Sequence, residues 1–129
     1  MKKLLLIFLF PWTMLSQEVL VEKTPPDYIK TIIFKADGND KNQFPIVRRN
    51  ESFSLQFDDL GGNEETYYYK ITHCNADWSA SSLMKSEYLK GIDNQPIQPE
   101  SNSYGTLQSY SHYRLTFPNE LTQLTLSGN

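Results

Sequence analysis

Phe53, Leu55 and Phe57 alternate with Ser54, Gln56 and Asp58. Only an extended strand has the period of two that sends the first set to one face and the second to the other. The run therefore predicts a half-buried strand, and a half-buried strand needs partners. Residues 66–74, beyond the Asp58-Asp59-Leu60-Gly61-Gly62-Asn63 turn, read as the next strand, so the two are expected to form an antiparallel hairpin with a longer loop. Tyr28-Ile29-Lys30-Thr31-Ile32-Ile33-Phe34 is a β-branched-rich strand, broken by Asp37-Gly38-Asn39-Asp40. Residues 44–48 read as a shorter strand, which Pro45 places at a sheet edge or a strand start.

Further along, residues 79–90 carry Leu83, Met84, Tyr88 and Leu89 after a serine cluster. They allow one short helix near 81–90, capped by Ser81 or Ser82 and ended by Gly91. Residues 92–105 are polar and Pro-interrupted, and read as a long loop. Residues 107–117 read as a strand with Tyr113, Leu115 and Phe117 on one face, and residues 121–126 begin another element. Many short strands between turn signals predict an all-β, immunoglobulin-like β-sandwich over 28–129. Where the sequence stops, that sandwich is expected to be short of its last strand or strands.

The first residues predict export. Met1-Lys2-Lys3 is a basic start, residues 4–10 are unbroken apolar, and residues 11–17 form a breaker-rich exit. The apolar run is far shorter than the roughly 20 residues of a spanning helix, so residues 1–16 read as a signal peptide cleaved near Ser16. Residues 17–27, with Pro25-Pro26, are a lead-in segment. Removing the leader takes Lys2 and Lys3 and leaves 10 basic against 15 acidic residues, net −5. A mildly acidic chain without a Lys/Arg cluster predicts no nucleic-acid partner and no direct insertion into a membrane.

Both histidines and the only cysteine lie in two short runs, His73-Cys74-Asn75-Ala76-Asp77-Trp78 and Tyr110-Ser111-His112-Tyr113. Zinc would accept His73, Cys74, Asp77 and His112. Strand parity argues against that set, because adjacent His73 and Cys74 point to opposite faces. His73 shares parity with Tyr67, Tyr69 and Ile71, whereas His112 lies opposite Tyr113, Leu115 and Phe117, so the two imidazoles are expected to look in different directions. Cys74 has no cationic neighbour or helix start to activate it and reads as a buried small hydrophobe. Adjacent acids such as Glu64 and Glu65 read as solvated loop residues rather than a hydrolytic pair. Catalytic residues, metal ligands and cofactors are therefore not expected. Asn75 and Asp77 are suited to holding a tight turn, over which Trp78 is expected to fold back as a hydrophobic lid. Exposed tyrosines with Trp78 leave a second reading open, a secreted glycan-binding β-sandwich.

The chain resembles the N-terminal domain of the type IX secretion system plug protein family of Bacteroidota. The resemblance covers about residues 28–129. It rests on Ile32-Ile33-Phe34, Phe44-Pro45-Ile46, Phe57-Asp58-Asp59-Leu60, Tyr68-Tyr69, and above all His73, Cys74, Asn75, Ala76, Asp77 and Trp78. Glu87-Tyr88 with Gly91, Tyr110 with His112 and Tyr113, Phe117-Pro118-Asn119 and Ser127-Gly128-Asn129 complete it. The resemblance implies a non-enzymatic periplasmic module that docks on the outer-membrane translocon barrel and occludes its periplasmic opening. Its signature residues are then structural.

Overall fold

A computed structural model describes residues 22–38, 44–48 and 50–129. The run read as a signal peptide lies outside these residues, as does the start of the lead-in. The described residues form eight strands and one short helix. In chain order these are β1 (Ile29–Ala36), β2 (Phe53–Asp59), β3 (Tyr67–Tyr68), α1 (Lys85–Tyr88), β4 (Leu89–Gly91), β5 (Pro96–Ile97), β6 (Pro99–Asn102), β7 (Ser111–Phe117) and β8 (Thr122–Leu124). The fold is all-β and sandwich-like, with every ladder antiparallel.

The main sheet runs β1-β2-β7-β6. Its spine is the β2–β7 ladder, unbroken over seven pairs from Phe53↔Phe117 to Asp59↔Ser111. That register puts the apolar set of β2 directly beside the apolar set of β7. Phe57 stacks on Tyr113 at 5.0 Å and 7°, and Tyr67 meets both rings edge-on at 5.0 Å. Aromatic pairs of this geometry add roughly 0.5–1.5 kcal/mol each beyond the area they bury. Phe57, Tyr69, Ile97, Tyr113 and Leu115 form the core cluster. Ile97 reaches it from the short β3–β5 ladder and Tyr69 from just beyond β3, while β4 and β8 form the other small ladder.

Several expectations are corrected. Residues 53–59 and 66–74 do not form a hairpin: β2 takes β1 and β7 as neighbours, and β3 shrinks to two residues paired with β5. Period two fixes which face a residue takes, not which strand lies alongside. Residues 44–48 contain no strand. The long loop at 92–105 instead supplies β5 and β6, each beginning on a proline, a position where the missing N–H costs the ladder least. The helix is confined to Lys85–Tyr88, and its N-cap is Met84 rather than Ser81 or Ser82. Glu87 Oε2 instead accepts the Met84 N–H at 2.7 Å. Gly91 follows three residues later within β4; at φ +100 its missing Cβ would lie 2.0 Å from the Leu121 carbonyl oxygen. Only glycine fits there.

Candidate functional site

Cys74 and Ala80 form an isolated bridge that closes the base of the signature turn. Within it, the Asn75 N–H donates to the Ser79 carbonyl at 2.9 Å and the Trp78 N–H to the Asn75 carbonyl at 3.0 Å. Side chains lock the same loop. Asp77 Oδ1 accepts the Ser79 N–H at 3.0 Å and its hydroxyl at 2.6 Å, and Asn75 Nδ2 donates to Ser79 Oγ at 2.9 Å. Those bonds, the Ser79 hydroxyl first, hold the Asp77 carboxyl below the usual carboxylate range. Ser79 is buried and takes the bonds that hold the turn. Trp78 sits at φ +63 with its side chain 60% exposed. The expected lid is therefore overturned: the ring projects outward.

The segment before the turn is held by residues 127–129. Cys74 is buried, and its N–H donates to the Asn129 carbonyl at 2.8 Å. Asn129 Nδ2 donates to the Asn75 carbonyl at 3.1 Å. His73 lies against Tyr88, with ring centroids 5.5 Å apart, and its Nε2 is 3.2 Å from the Ser127 carbonyl. A carbonyl only accepts, so Nε2 is the donor there, and Nδ1 is buried without a partner.

His112 stands elsewhere, on the outer face of the main sheet. Its Nδ1 is 2.6 Å from Asp58 Oδ1, its cross-strand neighbour. Glu100 on β6 lies 3.6 Å from Nε2 and 3.5 Å from Arg114. Arg114 Nε and Gln56 Nε2 both reach Ser54 Oγ, which explains how a serine on the polar face becomes fully buried. The Arg114–Glu100 ion pair ties β7 to β6, and the His112–Asp58 and Arg114–Ser54 hydrogen bonds tie β7 to β2. Among the described residues no group of three or more His, Cys, Asp or Glu side chains is arranged to hold a metal ion.

The remaining signature residues build the scaffold. Tyr113 is fully buried; its hydroxyl accepts the Glu65 N–H at 3.0 Å and donates to the Glu65 carbonyl at 2.8 Å. Burial pushes its hydroxyl pKa up. Tyr110 is half-exposed and closes the β6–β7 connection through Ser103, whose Oγ accepts the Tyr110 N–H at 2.8 Å. Phe117 packs against Phe53 at 5.1 Å, and the Phe117–Pro118 peptide is cis. Asn119 Oδ1 then accepts the N–H groups of Leu121 and Thr122, which turns the chain into β8.

Asp59, Thr122 and Asp93 are buried polar residues that the sequence pattern does not reveal. Asp59 accepts from the Tyr67 hydroxyl at 2.7 Å and from the Gly61 N–H at 2.7 Å. Its parity with Leu55 and Phe57 was the available signal, masked by its place in an apparent turn. Burial and then the Asp59 bond raise the Tyr67 pKa. Thr122 donates to the Ile92 carbonyl at 2.5 Å, so the Tyr69 hydroxyl is the donor in its 2.7 Å bond to Thr122 Oγ1. Asp93 accepts from Lys85 at 2.8 Å through both oxygens and from the Ile71 N–H at 3.0 Å. Burial opposes its ionisation, but the bonds from Lys85 and Ile71 outweigh that and keep its carboxyl below the ordinary range. No periodic pattern announces Thr122 or Asp93.

Two clefts are described. One, of about 310 Å³, is bordered by Tyr28, Asp59 and Tyr67. The other, of about 340 Å³, lies between Phe53 and Pro118 on one side and Leu124 and Leu126 on the other. Trp78 lines neither.

Residues 29–129 match the family described as type 9 secretion system plug protein, 1st domain. A solved structure, a hypothetical protein from Parabacteroides merdae, is similar at 37% identity and a TM-score of 0.74. The similarity covers 80% of this chain and 26% of that one, so the chain spans about a quarter of that protein's length. No curated protein matches the chain. With the family matched across nearly all of the described fold, the chain belongs to the type 9 secretion system plug proteins and carries their first domain.

Proposed function

We propose that this domain is a non-enzymatic plug module that docks on the outer-membrane translocon barrel of the type IX secretion system and occludes its periplasmic opening. The family match over residues 29–129 carries the reading. The geometry supports it. The signature imidazoles and thiol have separate partners, His73 the Ser127 carbonyl, Cys74 Sγ the Thr72 carbonyl at 3.9 Å and His112 the Asp58 carboxyl, rather than converging on a shared centre. Export through a leader cleaved near Ser16, a periplasmic location, and a place for residues 28–129 within a longer protein belong to the same proposal. No helix among the described residues is long and apolar enough to cross a membrane.

A module of this kind works by shape and contact rather than by a chemical centre, so a stiff scaffold with a few exposed anchors suits it. The test is deletion of the gene in a host with the system. Co-purification of the protein with the translocon, and leakage of small solutes across the outer membrane when it is absent, are expected. Normal impermeability without the protein would overturn the reading.

A further inference from the structure

Trp78 combines two properties that a residue kept only for packing does not need. Its backbone lies at φ +63, where a bulky L-residue is a genuine outlier, and 60% of its side chain faces solvent. Strain accepted for the sake of the core would return the ring to the core, and here the core gains nothing from it. Strained positions of this kind persist only where the surroundings over-determine them. The surroundings do so: the Cys74–Ala80 bridge, two backbone bonds and three side-chain bonds on Ser79 fix the loop from both sides. The backbone that carries the ring is thus held in place before any partner arrives. A preorganised loop loses little freedom on binding, and tryptophan is a frequent interface hot spot.

The neighbouring groups indicate what the ring would meet. Asp77 uses Oδ1 for both bonds to Ser79, and its exposed carboxylate adds a negative charge at the residue next to Trp78. Over the whole chain acids exceed bases, 15 against 12, which favours a basic partner surface. A carbohydrate is a poorer fit. A sugar needs several hydrogen-bonding side chains around the stacking ring, and the amide nitrogen of Asn75 is already engaged in holding the turn. The other exposed aromatics, Tyr68 on β3 and Tyr104 in the β6–β7 connection, belong to different elements.

We propose that the turn at residues 75–79 is the docking anchor of the domain, with Trp78 entering an apolar pocket on the outer-membrane component of the secretion system and Asp77 meeting a lysine or arginine at the pocket's rim. This rests on the plug reading above.

The test measures binding of the purified chain to the detergent-solubilised translocon barrel, together with thermal melting of each variant. Trp78→Ala and Trp78→Gly are expected to weaken binding by at least about tenfold. Trp78→Gly, which relieves the left-handed strain, is expected to melt at the same temperature or higher. Asp77→Asn, which keeps the Oδ1 acceptor, is expected to weaken binding about two- to fivefold and to flatten its salt dependence. If the wild-type chain binds and both Trp78 variants bind equally well, the anchor is overturned and the plug reading stands. If the wild-type chain does not bind, the plug reading fails and the anchor with it. A marked drop in the melting temperature of Trp78→Gly would overturn the anchor by showing that the indole supports the fold. Displacement of the barrel by soluble cell-wall glycan fragments in a Trp78-dependent manner would overturn it in favour of a sugar ligand.

Discussion

The centre of the main sheet and the turn at residues 75–79 treat large aromatic rings in opposite ways. Tyr113 is fully buried, stacks on Phe57, and has both its donor and its acceptor satisfied by Glu65. Trp78 is mostly exposed, on a backbone that costs energy to form. Ring size does not separate them. Tyr113 lies on a strand whose parity points inward and whose polar tip finds a partner across 48 residues of sequence. Trp78 lies in a turn held by bonds to the buried Ser79. The first ring stabilises the domain. The second is left for contact.

The contrast breaks most easily at the core. Tyr113→Ala is expected to cost roughly 3–5 kcal/mol in urea unfolding, whereas Trp78→Ala stays within about 0.5 kcal/mol. Equal losses would abolish the distinction. Tyr113→Phe sharpens it by sparing the ring and removing the hydroxyl. The Glu65 N–H and carbonyl lose their partner, and a loss of about 1–3 kcal/mol is expected.

Titration offers a gentler test. Asp93 has a depressed folded-state pKa, so its contribution is present above the ordinary carboxylate range and is lost as pH falls through the folded value. Tyr67 is shifted the other way. Its contribution is complete below the ordinary tyrosine pKa, about 10, and is lost as pH rises toward the higher folded value. Melting temperature against pH is expected to fall on both sides. Asp93→Asn should flatten the acid limb alone, and an unchanged acid limb in that variant would contradict the assignment. A small effect is expected on the other side of the comparison: Trp78→Gly leaves stability unchanged or raises it by up to about 1 kcal/mol, as relief of strain matches or exceeds the added freedom of the unfolded chain.

Much of the fold was legible because faces are written in sequence. The alternation at 53–58 and at 113–117 located β2, β7 and the residues they bury. Partner choice was not written there, since β2 and β7 meet across more than fifty residues and the nearer run at 66–74 looked equally eligible. β5 and β6 were hidden by the prolines that begin them and by a polar composition suited to short strands. In the turn, Asn75 and Asp77 were recognisable as turn-formers and do hold it. What sequence could not carry was the sign of φ at Trp78, and that sign decides whether the indole closes on the core or leaves it. Asp93 and Thr122 were invisible for a similar reason: their partners Lys85, Ile71, Tyr69 and Ile92 come together only in three dimensions.

Amide hydrogen exchange of the chain, alone and with the solubilised translocon barrel, tests the central claim most directly. Residues 53–59 and 111–117 are expected to exchange at the same slow rates in both states, and residues 75–80 to exchange more slowly in the complex than in the free chain. A complex that forms while residues 75–80 exchange as they do in the free chain would contradict the account.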